Sequence, residues 1–198
     1  MPAPRNPLDE RAIVRQAERV HLTLYPGTHG ANAIAQDDFS TWGELVESLR
    51  DLVSRPPEVP ESASPEAQKE SLLAFAPHRL KPGITRRALQ NIAHVTLLVL
   101  DLDHGIDLPA LLERVDDLHS PAIVYASPSD TPNHRRVRVI ASVSRPIAVG
   151  ECARTRFAFA ERLGLEPGCG VELAHDAAKI FFAGRLHGTP DREFYTWY

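Results

Sequence analysis

Cysteine is nearly absent. The chain has two, Cys152 and Cys169, far apart and without CxxC spacing. That excludes a disulfide scaffold and a cysteine-built zinc finger, and it suits a reducing compartment. Long apolar runs are missing too: no stretch approaches the ~20 residues of a membrane span. The opening MPAPRNPLDERAIVRQ has no apolar signal-peptide region. The expectation is a soluble, cytoplasmic protein with no membrane partner. Positive charge is not in excess either. Lysine and arginine total 22 against 26 acids, a formal charge of −4. No global basic field therefore demands nucleic acid, although a local patch is still available to bind it. There is no internal repeat, and no Ser–His or Cys–His pair poised as a nucleophile.

What is present is a globular composition. The 198 residues are 43% apolar and 24% charged, with 17 prolines that are bunched rather than periodic. The length allows one domain with a proper core. Residues 1–8 read as a Pro-rich tail and DERAIVRQAERV (9–20) as a short helix with Asp9 at its cap. That leaves 1–19 as an N-terminal appendage to a single domain over 20–198. HLTLY (21–25) alternates like a strand. In TWGELVESLRDLV (41–53), Thr41 and Glu44 form a capping box, and Trp42, Leu45, Val46, Leu49 and Val53 form one apolar stripe. A polar, proline-laden linker or insertion near 54–70 follows, expected not to pack.

From residue 92 strands and helices alternate. IAHVTLLVL (92–100) is too continuously apolar to be half-exposed and reads as a central strand covered on both faces. Asp107 caps a helix running to Leu118, with Pro109 in its first turn. PAIVYAS (121–127) is a second buried strand. RRVRVIASV (135–143) places its valines on one face and Arg136 and Arg138 on the other. A helix over 150–163 ends at Gly164, and KIFFAG (179–184) is the last strand. The order β-α-β-β-α-β predicts an α+β fold: an RRM-like, ferredoxin-like sheet, mixed but mainly antiparallel, with helices packed on one side.

Three constellations could carry chemistry. In LLVLDLDHG (97–105), Asp101 and Asp103 fall on one face of a strand end, where like charges call for water or a cation. Paired carboxylates of this kind hold Mg²⁺ or Mn²⁺, hard cations that take oxygen ligands. A bare DxD is also common in surface loops; its place after a buried strand favours the metal. The second constellation is SPSDTPNHRRVRV (127–139), where a polar loop delivers His134 and the strand adds two arginines suited to bidentate phosphate binding. Alone, those arginines would serve equally to blunt a sheet edge. The third is GCGVELAHDAAKIFFAG (168–184), where Glu172 and Asp176 are alternative third carboxylates.

In this order and on this strand pattern, the three resemble the archaeo-eukaryotic primase superfamily, in its phage- and plasmid-borne primase or primase-polymerase branch. LLVLDLD matches the first motif, SPSDTPNHRRVRVIASVSRPI (127–147) the second and GVELAHDAAKIFFAGR (170–185) the third, over residues 92–190. The resemblance implies a nucleotidyltransferase that uses Mg²⁺ or Mn²⁺, making primers from nucleoside triphosphates on single-stranded DNA in phage or plasmid replication. A replicative helicase is a further candidate partner. By the same carry-over Asp101, Asp103, Glu172 and His134 would be catalytic, with Asp176 the alternative to Glu172 as metal ligand. His134 would contact the nucleotide's phosphates, supported by Arg136 and Arg138, with Ser127 and Ser129 standing in for the motif's serine. The second motif lacks a clean Ser-x-His, and the third carries Glu172 where an aspartate is usual.

Two rival readings differ in class. One is a primase-like module that binds DNA or initiates replication without synthesis. The other is a haloacid-dehalogenase-type phosphatase, which also opens on DxD. That family places its motif at the start and needs a later GDxxxD-like pair, which does not follow here; Lys179 is the only lysine after the motif.

Overall fold

A computed structural model describes residues 20–27, 30–165, 177–189 and 193–198. The expected helix at 9–20 and the acids Glu172 and Asp176 lie outside the described residues. The chain is α+β, and its described residues form two sheets and four α-helices. A four-stranded sheet runs β2 (Ala35–Phe39), β1 (Val20–Tyr25), β3 (Ala74–Ala76), β8 (Phe181–Phe182). A five-stranded sheet runs β4 (His78–Leu80), β5 (Ile92–Leu102), β7 (Val137–Ile147), β6 (Ala122–Ala126), β9 (Phe194–Trp197). Every pairing among the described strands is antiparallel.

The helices follow their sequence signals. In α1 (Trp42–Ser54) the Thr41 hydroxyl accepts from the Glu44 N–H at 3.2 Å, and the Glu44 carboxylate accepts from the Ser40 N–H at 2.9 Å. These bonds satisfy amides that the first turn leaves without partners. The α3 helix (Leu108–Asp116) starts on Asp107, whose carboxylate accepts from the Ala110 N–H. The α4 helix (Cys152–Arg162) is followed by Gly164 at φ 60°, a left-handed stop that glycine adopts without strain.

The five-stranded sheet is buried on both faces, as its unbroken apolar strands require. One face (Leu98, Leu100, Leu102, Val139) packs on Leu111 and Val115 of α3 and Phe159 of α4. The other (Leu97, Val99, Ile123, Ile140) meets Leu45 and Leu49 of α1, together with Leu22, Phe75 and Phe181 of the second sheet. Each such side chain, taken fully out of water, contributes about 1.5–3 kcal/mol.

Three expectations are corrected. Helices do cover one side of the five-stranded sheet, but the second sheet and α1 close the other. KIFFAG does not complete that sheet: only Phe181 and Phe182 are extended, and they pair with Phe75 and Ala74 of β3. The edge beside β5 is taken instead by β4, which precedes it in the chain. The segment near 54–70 also packs. It contains α2 (Pro65–Ser71), capped by Ser64, with Gln68 only 6% exposed. The Gln68 side-chain amide donates to the Glu61 and Ala63 carbonyls and accepts from the His187 N–H. A proline-rich stretch read as polar coil can thus be anchored by one buried amide that satisfies three backbone groups.

Candidate active site

The site builds up at one end of the five-stranded sheet. Asp101 is not past the end of β5 but inside it, directly opposite Arg138 of β7. The two carboxylates therefore do not face each other across empty space; each meets a guanidinium. Arg138 Nε donates to Asp101 Oδ1 at 2.8 Å, and Lys179 Nζ stands 3.7 Å from Oδ2. Asp103, 37% exposed, has Arg136 Nε 3.8 Å from its Oδ1. His134 reaches back to the same place: its Nε2 lies 2.8 Å from the Asp103 carbonyl oxygen, which can only accept, so this ring nitrogen carries the proton.

Arg138 is almost wholly buried, its side chain 6% exposed. It also donates to the Phe182 carbonyl and, at 3.3 Å, to the Tyr125 hydroxyl. Its guanidinium lies 5.4 Å from the Phe181 ring. Burial opposes its charge, but Asp101 and Tyr125 more than offset that and hold Arg138 above the usual arginine range. The arginine face expected to stand clear of the apolar side is thus itself interior at Arg138. The site lies where the two sheets meet, with Asp101, Arg138 and Tyr125 from one and Lys179, Phe181 and Phe182 on the strand segment of the other.

The loop between β6 and β7 is shaped by Asp130. Its Oδ1 accepts from the Arg136 N–H at 2.6 Å and from Arg135 Nε at 3.2 Å. Ser127 extends the β6–β7 ladder through an N–H bond to the Arg136 carbonyl and is 4% exposed. Ser129 is half-buried in the same loop. Asp101, Asp103, His134, Arg136, Arg138 and Ser127 are therefore gathered at one end of the sheet.

Lys179, Tyr125 and Asp130 were not singled out from sequence. Tyr125 and Asp130 sit in the predicted strand and loop, but their roles depend on cross-strand register. Lys179 becomes visible only once β8 is placed in the second sheet.

The donor set suits a hard divalent cation in kind, being carboxylate oxygen, and Asp103 remains open to solvent. It is short in number: among the described residues no group of three or more His, Cys, Asp or Glu stands ready to hold a metal ion.

No protein-family model and no curated protein matches the chain. Two solved structures are similar. One is the AEP domain of the cyanophage S-2L primase-polymerase, at 11% identity and a TM-score of 0.42, covering 95% of this chain and 86% of that one. The other is the polymerase domain of Mycobacterium tuberculosis ligase D in complex with DNA, at 16% identity and a TM-score of 0.36, covering 88% and 67%. At these scores and identities neither likeness assigns an activity to this chain. Among the described residues no helix is long and apolar enough to cross a membrane.

Proposed function

We propose that the chain is a nucleotidyltransferase of the primase or primase-polymerase kind, which joins nucleoside triphosphates on a single-stranded DNA template in phage or plasmid replication. One observation carries this reading. Two adjacent carboxylates, Asp101 and Asp103, share one sheet end with Arg136, Arg138, Lys179 and His134, an acid pair set against a basic wall. Mg²⁺ or Mn²⁺ held by Asp101 and Asp103, with Glu172 or Asp176, would supply charge neutralisation at the triphosphate and an activated 3′-hydroxyl. The chain's own contribution is binding and orientation. His134 and Arg136, at the rim, hold phosphate oxygens. Arg138 is a positioning residue that acts through Asp101, and Lys179 steadies that carboxylate from the opposite sheet. No protein nucleophile is required, and positioning with charge neutralisation carries the rate.

The pairing of Asp101 with Arg138 and Lys179 favours one other reading: a site satisfied by its own ion pairs that holds DNA without chemistry. A primer-synthesis assay on single-stranded template with Mg²⁺ or Mn²⁺, run on wild type and Asp103→Ala, separates the two. Product from wild type and at least a hundredfold less from the variant is expected. DNA binding with no product from wild type selects the binding module. Phosphate release from a small phosphomonoester overturns both.

A further inference from the structure

The register of the five-stranded sheet lines up one row of side chains across four strands. Asp101 pairs with Arg138, Arg138 with Tyr125, and Tyr125 with Phe194. By alternation all four face the second sheet and α1, and the row grades from charged to aromatic. Arg138 donates to the Tyr125 hydroxyl, and the Tyr125 ring stacks on Phe194 with centroids 6.1 Å apart and planes 28° from parallel. The row ends outward of Phe194 on Arg50 of α1, whose guanidinium carbon lies 5.0 Å from the Phe194 ring centre.

Tyr125 is fully buried, Phe194 is partly buried, and the Arg50 side chain is 45% exposed. Among the described residues, Arg50 forms its one ion pair with Glu47, one turn away on the same helix and 69% exposed. Such a pair is worth little and leaves the guanidinium available. Strand β9, which carries Phe194, is held from both sides. Trp42 Nε1 of α1 donates to the Trp197 carbonyl at 2.9 Å, and Trp197 Nε1 donates to Asp116 of α3 at 3.0 Å. The platform is therefore fixed before anything binds to it.

We propose that the Arg50–Phe194 pair is a stacking subsite for a base of single-stranded nucleic acid, on the same cross-strand row as the candidate active site. A flat guanidinium backed by a ring presents a π-like face to any base, without reading its identity, and adds a positive charge for the neighbouring phosphate. Apolar surface alone would suit many occupants. The planar cation over the ring selects a flat, anionic-backbone ligand. This inference rests on the reading of the chain as a protein that acts on single-stranded DNA.

The test uses the full chain and two fluorescent oligonucleotides of equal length, one of thymidines and one abasic throughout. Wild type should bind the thymidine strand about tenfold more tightly than the abasic one, the scale of one stacked base. Phe194→Leu keeps apolar packing but loses the ring that holds the Arg50 guanidinium in place, so it should bring the two affinities together. Phe194→Tyr should restore the difference. In primer synthesis Phe194→Leu should raise the template KM and leave kcat within twofold. The inference is overturned if wild type does not distinguish the two strands, or if Phe194→Leu distinguishes them as wild type does. Normal primer synthesis with unchanged discrimination in Phe194→Leu sinks the subsite and leaves the enzyme. Lost discrimination in a chain that never makes primers keeps the subsite and sinks the enzyme.

Discussion

Asp101 and Asp103 look equivalent in the string DLD, yet the fold gives them different work. Asp101 is the counter-ion of a guanidinium that is almost wholly out of water, and it also faces Lys179. Removing it would take the carboxylate away from a buried guanidinium. Asp101→Ala is therefore expected to lose about 3 kcal/mol of stability. Asp103 sits at the surface 3.8 Å from Arg136, and Asp103→Ala should cost no more than about 1 kcal/mol. Urea midpoints of the two variants measure the difference, and equal losses would refute the pairing. The practical consequence is that Asp103 is the residue whose loss reports on activity, because loss of Asp101 also reports on folding. Residue types were legible at this scale: a carboxylate pair, a histidine loop and alternating arginines stand out in the string. Which carboxylate is the counter-ion of Arg138 was not legible, since that depends on the register of two strands separated in the chain by a helix and a third strand.

Elements were legible where one local period dominates. The α1 and α3 helices carry caps and apolar stripes, and β5, β6 and β7 are continuous or alternating apolar runs, so each declares itself. AQDDF of β2 alternates half-buried with exposed polar residues and has no apolar face to announce a strand. AFA and HRL, now β3 and β4, are too short to carry a period at all. Such strands exist because a neighbour supplies the pairing. The α2 helix was missed for a related reason: its anchor is a single polar side chain. Gln68→Ala should remove three hydrogen bonds and leave the backbone carbonyls of Glu61 and Ala63 without this donor. A loss of roughly 2 kcal/mol is expected in chemical denaturation. It should come with early proteolytic cleavage between residues 56 and 70, where wild type resists. An unchanged midpoint and cleavage pattern would mean the insertion holds without this anchor.

For the whole molecule, electrostatics would set the order in which the proposed ligands arrive. The chain carries a formal charge of −4, so it does not attract nucleic acid by its overall field. The candidate site differs locally. At its centre the carboxylates Asp101 and Asp103 stand against the cations Arg136, Arg138 and Lys179, apart from the Asp130–Arg135–Glu193 pairs of the loop. That balance, two negative against three positive, leaves one positive charge over, and it favours an anion ahead of a bare divalent cation. A triphosphate would spend that excess and bring oxygen donors of its own, after which a divalent cation completes the charge balance. A ligand that binds only the folded state at ten times its dissociation constant adds about 1.4 kcal/mol, or roughly 3–6 °C in Tm for a chain of this size. Nucleoside triphosphate alone should therefore raise Tm, Mg²⁺ alone should leave it within a degree, and the two together should exceed the triphosphate. Arg136→Gln should erase the first shift and most of the third. The reverse pattern, in which Mg²⁺ alone stabilises and triphosphate alone does not, would refute the anion-first order. It would mean that a third carboxylate, Glu172 or Asp176, completes a cation site before any nucleotide binds.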